Sequence, residues 1–257
     1  MVDERLLRAW EALELGPLWI RREASATTEP QVDGPPVTSP PESQVGQAAV
    51  PQPSSHGRVA PLPAMPAEDA WAALQAEVAD CRRCGLCETR RNTVFGTGPA
   101  TARWMLIGEA PGAEEDARGE PFVGAAGQLL TQMLVAAGLA RESDVFITNI
   151  VKCRPPGNRN PEPAEAHACE PFLRRQIELV QPDLILLLGR VAAQGVLGTD
   201  ASIAGLRQRV HHYPGEQRRI PVVCTYHPAY LLRNLPDKRK SWEDLCLAVD
   251  VASRSTA

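Results

Sequence analysis

The sequence predicts an α/β fold: a doubly wound, mostly parallel four-stranded sheet with helices on both faces. Three observations lead there. Short apolar runs alternate with helical patterns along the C-terminal part of the chain. One run, DLILLLG (183–189), is continuously apolar, as expected of a strand covered on both faces. The runs end in polar or turn-forming residues, where ligands bind in open parallel sheets.

Taken in order, AEDAWAALQAEVAD reads as a helix leading into the first cysteines, and RWMLIG (103–108) as a strand. Residues 124–139 read as a helix with Leu129, Leu130, Met133, Leu134 and Leu139 apolar. DVFITNI (144–150) is the second strand and PAEAHACEPFLRRQIELV (163–180) the next helix. DLILLLG is the third strand, VAAQGVLG a short helix, IPVVCTY (220–226) the fourth strand and KSWEDLCLAVDVA (240–252) a closing helix. This folded domain spans 67–257.

Two other segments precede it. Residues 1–23 pattern as a short amphipathic helix, with Leu6, Leu7, Trp10, Leu13 and Leu15 apolar. Trp10 and Trp19 are anchor-type residues, so this helix is expected to suit a protein partner. Residues 24–66 are crowded with Pro among Ser, Thr, Gln and Gly, and bury too little apolar surface to offset chain entropy. They read as a disordered linker.

The net charge of −4 argues against a broad basic surface but leaves room for a local basic strip. No apolar run reaches the roughly 18–20 residues needed to span a bilayer. The N-terminus lacks the apolar core of a secretory signal. The expectation is a soluble, cytoplasmic monomer with no membrane contact. Seven cysteines, an odd number, argue against a disulfide framework. Cys81 and Cys84 form a C-x-x-C pair, and Cys153 and Cys169 could make a second pair by folding. Four thiolates suit zinc or an iron–sulfur cluster, and residue chemistry alone does not choose. Cys224 and Cys246 read as packing residues.

The stretch GEAPGAEEDARGEPFVG (108–124) poses a problem. A tight turn between strand and helix usually cradles phosphate with backbone N–H groups. This one carries Glu109, Glu114, Glu115, Asp116 and Glu120, which would repel phosphate. Glu109, Asn149 and His227 all fall at strand ends, so polar groups from three separated segments converge.

GEAPGAEED with EPFVG-x-AGQLL, then ITNIVKCRPPGNRNPEP, then HPAYLLR, in that order, resemble the family 4 uracil-DNA glycosylases, the iron–sulfur type. The similarity runs from about Leu74 to Val251. It implies that family's fold and its reaction: flipping uracil out of single- or double-stranded DNA and hydrolysing its N-glycosidic bond, for base excision repair. It implies a [4Fe–4S] cluster on Cys81, Cys84, Cys153 and Cys169, with Cys87 spare.

The resemblance also assigns roles. Phe122 stacks on the flipped base. Asn149 pairs with uracil N3–H and O4 at once, where cytosine would be mispaired. His227 donates to uracil O2 as the leaving anion forms. In a better-known branch of glycosylases an Asp positions water in this turn; here Ala110 stands there. Glu109, beside it, is therefore expected to orient water or stabilise the cationic sugar. Ala110 and Gly112 offer backbone donors to uracil carbonyls. Glu115 is a second catalytic candidate, or lies near uracil C5 and rejects thymine. Glu114, Asp116 and Glu120 read as a helix start or solvated face. Lys152, Arg154 and Arg159, with Arg233, Lys238, Arg239 and Lys240, are expected to meet phosphates. Leu231, Leu232 and Arg233 could wedge into the minor groove. Two alternatives are a sister branch that cross-links uracil DNA through a His in a basic insertion, and a non-catalytic iron–sulfur DNA-binding module. The sequence has CRPPGNRNPEP at the insertion point, with no His.

Overall fold

The computed structural model describes residues 66–215 and 218–254. What the sequence suggests for residues 1–65, the helix with Trp10 and Trp19 and the Pro-rich linker, lies outside the described residues.

The strands are β1 (Trp104–Gly108), β2 (Val145–Asn149), β3 (Leu184–Leu188), β4 (Val210–Pro214) and β5 (Arg219–Thr225). The helices are α1 (Ala67–Ala79), α2 (Ala113–Arg118), α3 (Ala125–Ala136), α4 (Pro163–Val180), α5 (Arg190–Leu197), α6 (Ile203–Leu206), α7 (Pro228–Leu231) and α8 (Lys238–Arg254). The sheet order is β2-β1-β3-β5-β4. All pairings are parallel except β4 with β5.

The sheet has five strands, not the four expected. The missed strand, β4, is VHHYP, with alternating exposed and half-buried residues. Two histidines and a closing proline hide it from a hydrophobicity reading. The same features suit an antiparallel edge, where the outer N–H groups need no partner.

Alternation within β1 assigns the two faces. Met105 and Ile107 pack with Leu74, Phe146, Phe172 and Ile177 on the face covered by α1 and α4. Trp104 and Leu106 pack with Leu130, Leu134, Leu245 and Ala248 on the face covered by α3 and α8. β1, β2 and β3 are buried along their whole length, which requires their apolar composition.

The topology then places a site. The chain steps from β1 to β2 on one side, then crosses to β3 on the other. Loops leaving β1 and β3 therefore diverge and open a crevice at their carboxyl ends. Register brings the neighbouring strand ends to the same level: Gly108 pairs with Asn149 and Leu188 with Thr225. Gly189 N donates to Thr225 O at 2.8 Å, carrying the alignment one residue further.

Candidate active site

An open cleft of about 730 Å³ lies at this crevice. Glu109, Ala110, Gly112, Glu115, Phe122, Asn149 and His227 all line it, so the structure brings together every residue named for the base. Arg190, Tyr226 and Tyr230, which sequence reasoning left out, line it too. Arg190 follows β3 directly, so its position at a strand end was the available signal.

Asn149 ends β2 and is 1% exposed, and its Oδ1 has no hydrogen-bond partner. A buried amide oxygen left unpaired costs about 1–3 kcal/mol, and Asn149 borders the cleft. Gly108 makes room for it. A Cβ there would overlap Asn149 Oδ1 and come within 2.7 Å of Phe122 Cζ. Gly108→Ala should therefore displace both groups. Uracil excision is expected to fall by roughly 10²-fold, since a misplacement of about an ångström costs that much. Single-turnover assays on uracil DNA, alongside a melting curve, check it.

His227 is the N-cap of α7, and its Nδ1 accepts the backbone N–H of Ala229 at 3.1 Å. With Nδ1 accepting, the neutral ring carries its proton on Nε2, which makes Nε2–H the ring's donor. Burial, helped by the Arg233 guanidinium and opposed by Glu115, holds the His227 pKa down at about 4. The ring is thus neutral at pH 7. It stacks at 5.5 Å on Phe122, with 29° between the planes. Gly189, at φ +91°, lets the backbone pass close: a Cβ there would lie 2.9 Å from His227 Cβ.

The acidic loop sorts into distinct duties. Glu109 is half-buried, and burial raises its pKa while Arg190 lowers it. Glu115 accepts the N–H groups of Gly112 (3.1 Å), Val123 (3.0 Å) and Gly124 (3.1 Å). Its carboxylate ties the two arms of the loop together while still lining the cleft. Gly112 N, offered above as a uracil donor, is spent on Glu115 as well. Asp116 is not solvated: it is 2% exposed and accepts from Arg91 N at 2.9 Å. Glu114 and Glu120 are exposed, as expected.

The basic residues need two corrections. Lys152 is 1% exposed and donates to Thr148 Oγ1 (2.6 Å), Asn149 O (2.7 Å) and Gln176 Oε1 (2.6 Å). Burial also pushes its pKa down to about 7, and an amine so enclosed cannot meet a phosphate; it braces the strand end that carries Asn149. Lys238 is also buried. Arg154 bonds Asn158 Oδ1, and Arg159 pairs with Glu165 at 2.7 Å. Arg233 is exposed and lines the cleft. Of the wedge, Leu231 is 1% exposed and packs in the core, whereas Leu232 is 42% exposed. Only Leu232 and Arg233 can reach outward.

The cysteines behave as a set. Cys81, Cys84, Cys87, Cys153 and Cys169 line one recess. Arg90 Nη1 donates to Cys153 Sγ at 3.0 Å, and Lys152 N to Cys169 Sγ at 3.3 Å. Such N–H···S bonds suit sulfur carrying thiolate charge. As free thiols these groups are costly to ionise: burial pushes the Cys153 pKa up to about 11 and raises that of Cys169. Among the described residues, no three His, Cys, Asp or Glu side chains are placed to hold a single metal ion. One tetrahedral Zn²⁺, with Zn–S of about 2.3 Å, needs its sulfurs close together. Four cysteine sulfurs around one recess are a donor set of the kind that holds zinc or an iron–sulfur cluster. Cys224 is buried as expected, but Cys246 is exposed on α8 and is not a packing residue. No helix of the described residues is long and apolar enough to cross a membrane.

Residues 95–247 match the family model of the uracil DNA glycosylase superfamily. The chain is 44% identical over 171 residues to the type-4 uracil-DNA glycosylase of Archaeoglobus fulgidus, covering 65% of this chain and 85% of that one. It is 45% identical over 181 residues to the type-4 enzyme of Sulfurisphaera tokodaii, covering 68% and 81%. It is 45% identical over 168 residues to that of Thermotoga maritima, covering 65% and 85%.

Proposed function

The chain belongs to the uracil DNA glycosylase superfamily, and from that premise we propose how its cleft cuts uracil from DNA. It is a uracil-DNA glycosylase, a hydrolase of N-glycosidic bonds acting in DNA repair. The observation that carries the reading is the buried, unpartnered Asn149 Oδ1 facing a cleft at the sheet's switch point.

Flipping costs a few kcal/mol and delivers the base to the cleft. Uracil enters with its ring against Phe122. The Asn149 amide accepts N3–H through Oδ1 and donates to O4 through Nδ2. Cytosine would present an acceptor to Oδ1 and a donor to Nδ2, leaving both mispaired. As the bond from C1′ to the base breaks, negative charge gathers on uracil and positive charge on the sugar. The neutral His227 donates Nε2–H to O2, stabilising the first, and the Glu109 carboxylate favours the second and orients water. The water oxygen bonds C1′, and its proton balances the departing uracil anion. Leu232 and Arg233 support the DNA side of the cleft, Arg233 by neutralising phosphate. The tyrosine pair Tyr226 and Tyr230, stacked at 4.9 Å, forms an aromatic wall beside them.

Cys81, Cys84, Cys153 and Cys169 would hold the [4Fe–4S] cluster. When bound it would supply cross-linking of the chain rather than a reaction step, these cysteines joining the segment after α1 to the loop that follows β2 and to α4. Arg90 serves that joint from the protein side, donating also to Cys81 O at 2.8 Å. Purified protein is expected to show visible charge-transfer absorption with iron and sulfide in equal amounts. Cys153→Ser should lose most of both. Zinc without visible absorption would overturn the assignment.

Incubation with single- and double-stranded uracil oligonucleotides tests the function. Alkali-labile abasic sites in both are expected. An adduct stable on a denaturing gel would favour the cross-linking branch, and neither product would favour a non-catalytic module. The loop after Cys153, with its short turn at Pro156–Asn158 and no His, supports hydrolysis.

A further inference from the structure

We propose that Arg141 is a positioning residue for the base platform, holding Phe122 in a backbone conformation the chain would not otherwise keep. The inference rests on the reading of Phe122 as the surface on which uracil stacks.

Phe122 has φ +54°. For a residue with a bulky side chain this is an outlier, because Cβ crowds its own carbonyl oxygen. Such a conformation persists only where the surroundings over-determine it. Here opposite charges grip opposite backbone polarity on either side of the residue. The Glu115 carboxylate takes the N–H groups that follow, those of Val123 and Gly124. The Arg141 guanidinium takes the carbonyls: Nη2 donates to Pro121 O at 2.8 Å and to Phe122 O at 3.0 Å.

The clamp is anchored. Arg141 Nη1 donates to Thr131 Oγ1 at 3.2 Å, and that hydroxyl donates to Gly127 O at 3.1 Å. Both acceptors of this second link lie on α3. Gly127 is itself required, since a Cβ there would overlap the Phe122 carbonyl. Helix α3 thus presses against the platform from below while Arg141 ties the platform's carbonyls to it. A guanidinium suits this because its planar fork spans several acceptors at fixed angles, which a lysine ammonium cannot reproduce. Arg141 does not line the cleft, so it acts on uracil only through Phe122.

A double-mutant cycle on the full chain, read as single-turnover release from uracil DNA, tests this. Arg141→Ala is expected to slow release on the order of 10- to 100-fold, the effect of a displaced contact group. In the Phe122→Ala background the same change should cost less than about twofold, because coupled residues are non-additive. Arg141→Lys should recover only part of the rate. Additive losses, or a wild-type rate in Arg141→Ala, would overturn the role. If Phe122→Ala alone runs at the wild-type rate, the platform reading fails first, and that outcome is distinct from additivity. Should Arg141→Ala not fold, Arg141→Gln, which keeps one donor, is read in the same cycle.

Discussion

Replacing His227 with Asn is expected to slow uracil release on the order of 10²- to 10³-fold while leaving the fold intact, the loss typical of one oxyanion-type donor. Asn is chosen because His227 has two duties. Its Nδ1 caps α7 by accepting Ala229 N–H, and an Asn side chain fills an N-cap well. In the proposed mechanism its Nε2–H donates to the leaving group, and the shorter Asn side chain would not reach that far. His227→Ala would lose both and add about 1 kcal/mol of lost cap to the result. The pH behaviour follows from burial. The folded pKa is about 4 against an ordinary 6.5, so the native ring stays neutral where the unfolded ring already takes a proton. Stability associated with His227 is therefore present above pH 6.5 and is lost as pH falls towards 4. His227→Asn should lack that component, which denaturant melts at pH 7 and pH 5 would reveal.

The second large effect belongs to Glu109. Glu109→Gln is nearly isosteric and removes only the charge. Release is expected to slow by roughly 10²-fold or more, as for loss of a preorganised electrostatic group. The proposed role needs the carboxylate ionised; burial raises its pKa, with Arg190 opposing the rise. The wild-type rate should therefore fall with acid at a pH above the ordinary glutamate range. Residual activity in Glu109→Gln should stay flat there and decline only as His227 begins to titrate. A wild-type pH profile in the variant would remove Glu109 from the chemistry. Arg190→Ala should shift the wild-type acid limb upward, because the lowering partner is gone.

Much of this was legible from residues alone because strand ends are visible in sequence. WMLIG, VFITN and LILLL are apolar runs that stop at Gly108, Asn149 and Leu188, and parallel register levels those ends. Other parts depend on distance in the chain. Glu109 and Glu115 look alike in an acidic loop; only the fold shows that Glu115 turns back onto Val123 and Gly124. Lys152 sits in a row of basic residues, yet Gln176 from α4 and the end of β2 enclose its ammonium. Arg90 and Arg141 carry no motif at all: Arg90 reaches Cys153 Sγ across 63 residues, and Arg141 grips the carbonyls of Pro121 and Phe122. Strand β4 was invisible because an edge strand need not be apolar.

The reading of the cleft is tested most directly by a crystal structure of the protein soaked with uracil. Uracil should lie against the Phe122 ring, with N3–H on Asn149 Oδ1, O4 on Asn149 Nδ2, and O2 within hydrogen-bond distance of His227 Nε2. Uracil bound elsewhere, or in the cleft with Asn149 Oδ1 still unpartnered, would contradict it.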